Sequence, residues 1–354
     1  MQIDTPYYED LTRISNSNIG WFLQKGPAYL HKMLTNPPPE EKNPVLERGT
    51  MIHEYILQPE EFQKDYVVWD KSRPTSAQQE KFCQALANTL EIEPDKAVLS
   101  AYKEAYSTAG KSDDKMLSEG LKIASTLKDY IDFLKANDGR IMISPWDYQM
   151  LKKIKNEIEA HKLAKHIAWP YGYLGNYSYE NQPQHFKDGN FLDYSPITFH
   201  EFHINWEHYV PEIGNIQCKS LLDGLTLDFK NKKAIIYDLK TTQKLWHFED
   251  SIDQYDYLRQ LCYYRMAVMW YLENECNEDH MEIINTWQFE YYIIGIDTTG
   301  SNEIRVFKVE PFMVDSREHT IRVTLADIGW HQKNDKWEHS RAYYEGDGSE
   351  ILNL

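Results

Sequence analysis

The feature that most constrains the fold is the segment from residue 198 to 241, where three successive stretches have the composition of β-strands. We predict strands at 198–206, 217–229 and 234–241. Successive side chains of a strand point to opposite faces, so Asp238 and Lys240 share one face while Leu239 points to the other. A strand that is otherwise apolar therefore brings two opposite charges to one face of a sheet.

The second and third strands predict a β-hairpin around residues 230–232. With its tip at 231–232, Asp223 would lie opposite Lys240 and diagonal to Asp238. Diagonal neighbours on adjacent strands are roughly 7–8 Å apart, which lets two carboxylates converge on one cation. Charges on a buried strand are costly unless they pair or hold a metal. The hairpin is therefore a candidate metal site.

Two aspartates and a lysine are the residue types that phosphodiester hydrolysis needs. Mg²⁺ prefers oxygen ligands, and a bound cation neutralises phosphate charge and lowers the pKa of the attacking water. A lysine beside it can orient that water and stabilise the developing charge. The same Asp-x-Lys spacing also occurs in ordinary surface ion pairs, so its surroundings decide between the two interpretations.

Two predicted helices supply further polar residues. Gly49 and His53 are four residues apart on a helix predicted at 45–57, so they share one face. Gln260 and Tyr264 have the same spacing on the helix predicted after the third strand. Each pair alone is more often structural than functional, but their order along the chain is more specific.

The order G-x-x-x-H, Asp, D-x-K-T-T, Q-x-x-x-Y resembles the exonuclease VIII (RecE-like) branch of the PD-(D/E)XK nucleases, especially phage-encoded members. Residues 15–18 and Trp206 add to this resemblance, which covers about 12–60 and 195–310. It implies an α/β fold, a restriction-endonuclease-like core with a mixed central sheet flanked by helices, plus a mainly helical insertion. The implied regions are core helices with the G-x-x-x-H motif (1–60), the insertion (61–195), the core with the catalytic strands (196–335) and a tail (336–354).

The resemblance also implies roles for individual residues. The expected catalytic residues are Asp223, Asp238, Lys240 and Gln260. The expected metal ligands are His53, Asp223, Asp238 and the backbone carbonyl of Leu239. The expected DNA contacts are Tyr264, Thr241 and Lys219, and a weaker candidate for an outer acid is Glu201.

The activity implied by the resemblance is that of a Mg²⁺-dependent exonuclease, with Mn²⁺ able to substitute. It would degrade duplex DNA from its ends, 5′ to 3′, in recombination, repair or phage DNA metabolism. Expected partners are DNA ends, a single-strand annealing protein and further copies of the chain in a ring. Two alternatives stay open: a related nuclease acting on single-stranded or branched DNA, as in CRISPR adaptation, and a non-catalytic acidic protein that binds or mimics DNA.

Composition restricts these possibilities. The net charge of −17 excludes a uniformly basic DNA-binding surface but allows a local one, for which the hairpin-tip lysines 230, 232 and 233 are the best candidates. The four cysteines lack the spacing of the iron–sulfur-bearing relatives, so we expect no cluster. No apolar run approaches the roughly 20 residues of a membrane span, and no signal peptide is evident, which favours a cytoplasmic protein.

The rest of the chain predicts a helical first half and a mixed second half. The expected helical stretches are 75–138, 146–168, 252–274 and 316–333. The expected strands are 66–69, 286–296 and 303–311, and the Gly-, Asn- and Pro-bearing stretch 171–195 is expected to be a loop.

Overall fold

The computed structural model describes residues 6–39, 43–91, 93–136, 139–170 and 196–350. The chain forms two compact units, one made of Met1–Pro59 with Met150–Leu354 and the other of Glu60–Gln149. The predicted loop 171–195 lies outside the described residues. Within the described ranges, no helix is both long and apolar enough to cross a lipid bilayer.

The elements are numbered along the described chain. Its helices are α1 (Asn16–Lys25), α2 (Pro27–Thr35), α3 (Pro44–Leu57), α4 (Pro59–Asp65), α5 (Ala77–Asn88), α6 (Pro94–Ala105), α7 (Asp113–Thr126), α8 (Lys128–Lys135), α9 (Pro145–Ala160), α10 (Lys162–Ala168), α11 (Phe248–Tyr255), α12 (Tyr257–Asn274), α13 (His280–Thr286), α14 (Pro311–Asp315), α15 (Glu318–Asn334) and α16 (Arg341–Glu345). Its strands are β1 (Tyr66–Val68), β2 (Ile141–Ile143), β3 (Ile197–Val210), β4 (Gly214–Asp228), β5 (Lys233–Thr242), β6 (Gln288–Asp297) and β7 (Ile304–Val309), and a 3-10 turn covers Leu245–His247.

The larger unit contains a five-stranded sheet in the order β3-β4-β5-β6-β7. The β5–β6 pair is parallel, and the other three pairs are antiparallel. Helix α12 packs on one face, and the ends of α3 and α10 reach the other, where the His200 side chain contacts the carbonyls of Leu57 and Ala168. The predicted mixed sheet flanked by helices is therefore confirmed.

The core lies between α12 and the face of the sheet that carries Leu225, Ile236 and Ile293, none of which is exposed. Leu225 pairs with Ile236, and Ile293 lies two positions after Tyr291, the partner of Ile236, so all three side chains point to one face. Burying a side chain of this size stabilises the fold by about 1.5–3 kcal/mol. The same face continues along β5 to Asp238 and Lys240, so the core ends at the charged residues.

Gly224 lies at a position of β4 where there is no room for a side chain. It pairs with Tyr237 across β4 and β5, and a Cβ there would lie 1.9 Å from a carbon of the Tyr237 ring. The ring therefore lies over the glycine and closes the far face of the sheet next to Asp223.

Several predicted boundaries were wrong. The helix predicted at 252–274 is broken at Asp256, which has a left-handed backbone (φ 49°) and caps α12 through its side chain. The helix predicted at 146–168 breaks at His161, whose ring accepts a hydrogen bond from Ala164 N–H. Pro311 begins α14 instead of ending a strand, and Thr286 ends α13 instead of beginning one.

The smaller unit combines the parallel pair β1–β2 with helices α5 to α8. Its core is formed by buried residues of these helices, among them Phe82, Leu86, Val98, Tyr102 and Ile131. The predicted helical stretch 75–138 agrees with α5 to α8, whereas β2 was not predicted. The strand predicted at 66–69 corresponds to β1, whereas β2 has only three residues, a pattern too short to identify.

Candidate active site

The candidate site lies where β4 and β5 stop pairing. Their last paired residues are Gly224 and Tyr237, and the next positions on the two strands are Asp223 and Asp238. Beyond this point, β4 continues in its ladder with β3, and β5 continues in its ladder with β6. The two aspartates therefore flank the opening of a fork in the sheet.

The fork corrects the predicted register. Asp223 comes next to the position of Asp238, whereas the predicted hairpin put it opposite Lys240. The loop begins earlier than predicted because the Asp228 carboxylate accepts hydrogen bonds from the backbone and side-chain N–H groups of Asn231, at 3.0 and 2.7 Å. Moving the tip of a hairpin by one residue shifts every cross-strand pair by two. The two acids are direct neighbours as a result.

Three side chains meet at the fork: His53 from α3, Glu201 from β3 and Asp223 from β4. Their candidate ligand atoms all lie within 4.8 Å of one another. His53 Nδ1 is 3.7 Å from Asp223 Oδ2 and 3.9 Å from Glu201 Oε1. One imidazole nitrogen and two carboxylates form a donor set suited to a divalent cation.

Glu201 reaches this group through an irregular backbone. Its φ is 46°, and the β3–β4 ladder passes over it, pairing His200 with Gly224 and then Phe202 with Leu222. A left-handed glutamate costs on the order of 1–3 kcal/mol and persists only where the surroundings enforce it. Strand alternation assumes a regular backbone and does not predict this conformation, and the resemblance named Glu201 only as a weaker candidate.

Asp238 and Lys240 lie beside this group on β5. Asp238 is 1% exposed, and neither of its carboxylate oxygens has a hydrogen bond of normal geometry within the described residues. The Lys240 ammonium forms an ion pair with Oδ2 at 2.5 Å. In contrast, Asp223 Oδ2 accepts a hydrogen bond from the backbone N–H of Leu239 at 2.6 Å. A buried carboxylate without such donors is costly, so its oxygens are suited to hold a cation.

Electrostatics favour binding of positive charge at the fork. Burial raises the pKa of Asp223 and raises that of Asp238 to about 6, against the opposing effects of His53 and Lys240. Burial alone would lower the pKa values of His53 and Lys240, but the neighbouring carboxylates raise both. With Glu201, three carboxylates face one lysine, and a histidine that binds a metal is neutral, which leaves two negative charges in excess. A divalent cation would balance the excess.

The predicted Gln260–Tyr264 pair forms a hydrogen bond, with Gln260 Nε2 donating to Tyr264 Oη at 2.7 Å. Burial raises the pKa of Tyr264 well above its usual range, and the carboxylates of Asp238 and Asp223 add to this effect. The phenol therefore lies near the acids as a neutral group. It is 6% exposed, which leaves little surface for a DNA contact.

The other two predicted DNA contacts have different surroundings. Lys219 is 6% exposed, and its ammonium donates to the carbonyls of Tyr7 and Asp10, both at 2.5 Å. It therefore fastens the N-terminal segment to β4 and is not available to a phosphate. Thr241 points away from Lys240, and its Oγ1 lies 3.4 Å from where a Cβ of Gly49 would be, so the glycine lets α3 approach β5.

Two of the three hairpin-tip lysines named as candidates for a local basic surface are already paired with carboxylates. Lys232 pairs with Glu278 at 2.6 Å and Glu282 at 3.2 Å, and Lys233 pairs with Glu290 at 3.0 Å. Five residues of extended strand, about 16 Å, separate Lys233 from Asp238. Lys232 and Lys233 are therefore neutralised by these pairs, and they are remote from the fork.

Sequence reasoning missed Tyr257, whose ring centroid lies 5.0 Å from Lys240 Nζ. A cation over an aromatic face is attracted to it, so the ring helps to fix the lysine. Tyr257 precedes Gln260 by three residues, which places both on one face of α12. That spacing was the signal in the sequence that could have identified it.

Comparison with known proteins finds no matching family model and no matching curated protein. Among solved structures, the chain is similar to a protein of Eubacterium rectale named "putative exonuclease". The superposition covers 100% of this chain and 97% of that one, with 12% sequence identity and a TM-score of 0.44. A likeness of this degree is too low to assign a fold or an activity.

Proposed function

We propose that this chain is a divalent-metal-dependent nuclease with a PD-(D/E)XK active site, acting as an exonuclease on DNA ends. The observation that supports this most strongly is the fork, which combines Asp223, Asp238 and Lys240 beside His53 and Glu201. Buried acids gathered at the end of a core need a compensating charge. A protein that only mimics DNA would carry its acids on the surface, so the buried set favours catalysis over mimicry.

The residues of the fork fit a bound metal ion. His53, Glu201, Asp223 and Asp238 would hold it, and the Leu239 carbonyl is a fifth candidate. The N–H and C=O of one strand residue point to the same edge, and the Leu239 N–H points to Asp223. Mg²⁺ suits the oxygen ligands, and Mn²⁺ also accepts imidazole nitrogen. When bound, the cation would supply charge to the scissile phosphate and lower the pKa of a bound water.

Lys240 would act as a charged donor. Because its pKa is raised, the side chain stays an ammonium group and does not serve as a base. It can hold the attacking water or a phosphate oxygen and stabilise the charge that develops there. The Tyr257 ring and the Asp238 carboxylate hold it in place. Gln260, tied to Tyr264, would orient the backbone of the substrate.

The decisive experiment compares linear duplex DNA, labelled at either its 5′ or its 3′ end, with closed-circular duplex DNA. We expect the protein to degrade linear DNA from the 5′ end in Mg²⁺ or Mn²⁺, and to leave circles intact. Asp238→Ala and Lys240→Ala should abolish cleavage, whereas Asp114→Asn, at an exposed acid of α7, should not. Circular dichroism verifies that each variant is folded.

The other outcomes identify the alternatives. Faster cleavage of single-stranded or flapped DNA than of duplex ends would favour the branch- or strand-specific nuclease. No cleavage of any DNA with either metal, together with inhibition of another protein's DNA binding, would favour the acidic mimic. The proposed ring around DNA predicts an oligomer in size-exclusion chromatography with light scattering.

A further inference from the structure

The residues that follow the catalytic strand carry exposed aromatic rings whose position the proposed chemistry does not explain. We define the aromatic segment as residues 245–257, which includes the 3-10 turn, α11 and the first residue of α12. Within it, Trp246 is 70% exposed and Tyr255 is 56% exposed. An exposed ring alone is normal at a protein surface, so the position of these two rings relative to the site decides whether they have a function.

The segment lies on the face of the sheet that carries the catalytic lysine. Lys240 pairs with Gly295 on β6, and Gly295 pairs with Arg305 on β7. Residues in one row across a sheet point to the same face, so Lys240 and Arg305 are two strand spacings apart, about 10 Å. The glycine between them leaves room for the turn, since a Cβ there would lie 2.8 Å from Leu245 Cδ1.

Trp246 is fixed beside this row. Leu245 is buried over Gly295, and the next residue, Trp246, lies face-on against the guanidinium of Arg305, 3.4 Å from the ring centroid. A cation–π contact of this kind fixes the plane of the ring. One face of the indole is therefore covered by Arg305, and the high exposure of the side chain leaves the other open to a planar ligand.

A second set of rings leads from the sheet to Lys240 and then to the surface. Phe307 stacks on Phe248 at 4.9 Å, Phe248 on Tyr257 at 5.9 Å, and Tyr257 on Tyr255 at 5.7 Å, with interplanar angles of 23 to 27°. Tyr257 is the ring beside Lys240. The exposed Tyr255 ring thus extends a parallel stack outward from the catalytic lysine.

We propose that Trp246 and Tyr255 are stacking platforms for unpaired bases of the strand whose phosphate reaches Lys240. This inference rests on the proposed nuclease function, because that function brings a nucleic acid strand to this lysine. Every nucleobase has a π-face, so stacking on aromatic rings binds single strands with little sequence preference. Arg305 holds the Trp246 ring and adds positive charge near the backbone of the strand.

The charges around the segment indicate that stacking, rather than charge, carries the binding. Lys244 and His247 are exposed beside Trp246, but Glu249 and Asp250 follow on the first turn of α11. The carboxylates offset the charge of Lys244 locally. We therefore expect the affinity for single strands to depend on the bases and only weakly on salt, unlike binding through a basic groove.

The test measures fluorescence anisotropy of two labelled single strands of equal length, one with bases and one abasic. Ca²⁺ serves as a divalent ion for oxygen sites, and gels of the same samples show whether the strands stay intact. We expect Trp246→Ala to weaken binding of the base-bearing strand about tenfold and to leave the abasic strand unchanged. Tyr255→Ala should weaken it about fivefold, and Trp246→Phe should retain most of the affinity.

Tyr209→Ala is the matched control, since Tyr209 is 68% exposed on β3, eight residues along the strand from Glu201. It should change neither affinity. Equal loss for both strands in Trp246→Ala, no loss for either, or no binding by the wild type would overturn the inference. Failure of the proposed function is a separate result, namely no cleavage of any DNA in Mg²⁺ or Mn²⁺.

Discussion

Two buried aspartates on neighbouring parallel strands have opposite surroundings. Asp297, at the end of β6, is 5% exposed and accepts hydrogen bonds from Thr299, Ser301 and Asn302. Burial alone would raise its pKa, but these hydrogen bonds lower it. Asp238, on β5, is 1% exposed and has a raised pKa of about 6, with no normal hydrogen bond to its oxygens within the described chain.

The comparison shows that burial alone does not identify a functional acid. Asp297 shapes a turn, and its donors come from residues within five positions of it. Asp238 has an ion pair with Lys240 through Oδ2 and repulsion from Asp223, and its oxygens accept no hydrogen bond of normal geometry within the described residues. A buried acid with a raised pKa and a single ion pair in place of hydrogen-bond donors is a candidate functional residue. The same kind of substitution should therefore reduce DNA cleavage at Asp238 and reduce stability at Asp297.

The largest expected effect is on catalysis. Asp238→Asn removes a proposed metal ligand and should lower the single-turnover rate of DNA cleavage by about 10³-fold or more. Asp297→Asn should leave the rate per folded molecule within about twofold. Lys240 keeps Asp223 as a counter-charge, so we expect the Asp238 variant to fold, which circular dichroism verifies. A rate within tenfold of wild type would remove Asp238 from the site.

The next effect is stabilisation by metal. At about 100 times the dissociation constant, a cation that binds only the folded state adds about 2.7 kcal/mol of stability. Thermal unfolding in Mg²⁺ or Mn²⁺ should therefore occur at a higher temperature than in EDTA. Asp223→Asn should lose most of this shift, and Asp297→Asn should keep it. Equal shifts in both variants would place the cation elsewhere.

A smaller effect is expected on stability without metal. Asp297→Ala leaves the N–H and O–H donors of Thr299, Ser301 and Asn302 without their acceptor, so the free energy of unfolding should fall by about 2 kcal/mol. Urea unfolding in EDTA measures this difference. If the Asp297 variant is as stable as wild type, the hydrogen bonds that Asp297 accepts do not contribute to stability. The proposed difference between a structural Asp297 and a functional Asp238 would then be wrong.

The smallest effects concern pH. Because the pKa of Asp297 is lowered from 3.8, its contribution is present above that value and is lost as the pH falls through the folded-state pKa. The stability gap between wild type and Asp297→Ala should close in acid. The metal-induced shift should decline earlier, near pH 6, because Asp238 takes up a proton there. Measuring the stability difference and the metal-induced shift across this pH range would show which of the two acids each effect depends on.

The sequence predicted the strands of the central sheet because their residues alternate regularly or form apolar runs between turn residues. It also placed Asp238 and Lys240 on one face, which the continuous β5 strand bears out. The register of the hairpin was wrong because the Asp228–Asn231 hydrogen bonds determine the loop, and no local pattern reveals them.

The contribution of Glu201 could not be predicted for a different reason. Its position in the group with His53 and Asp223 depends on a left-handed backbone within β3, which only the pairing with β4 makes visible. Lys219 shows the opposite error. A lysine near predicted catalytic strands looked like a phosphate contact, but it is buried by an N-terminal segment more than 200 residues away in sequence.

The fork also has a mechanical consequence. Only five residue pairs join β4 to β5 before the strands part, and beyond them the hydrogen bond from the Leu239 N–H to Asp223 connects the β3–β4 half of the sheet to the β5–β7 half. Asp223 belongs to one half and Asp238 to the other. An ion bound to both aspartates would link the two halves. Amide hydrogens near the ends of the parted strands should then exchange more slowly with solvent when the metal is bound. Binding of the proposed metal ion would therefore also make this end of the sheet more rigid.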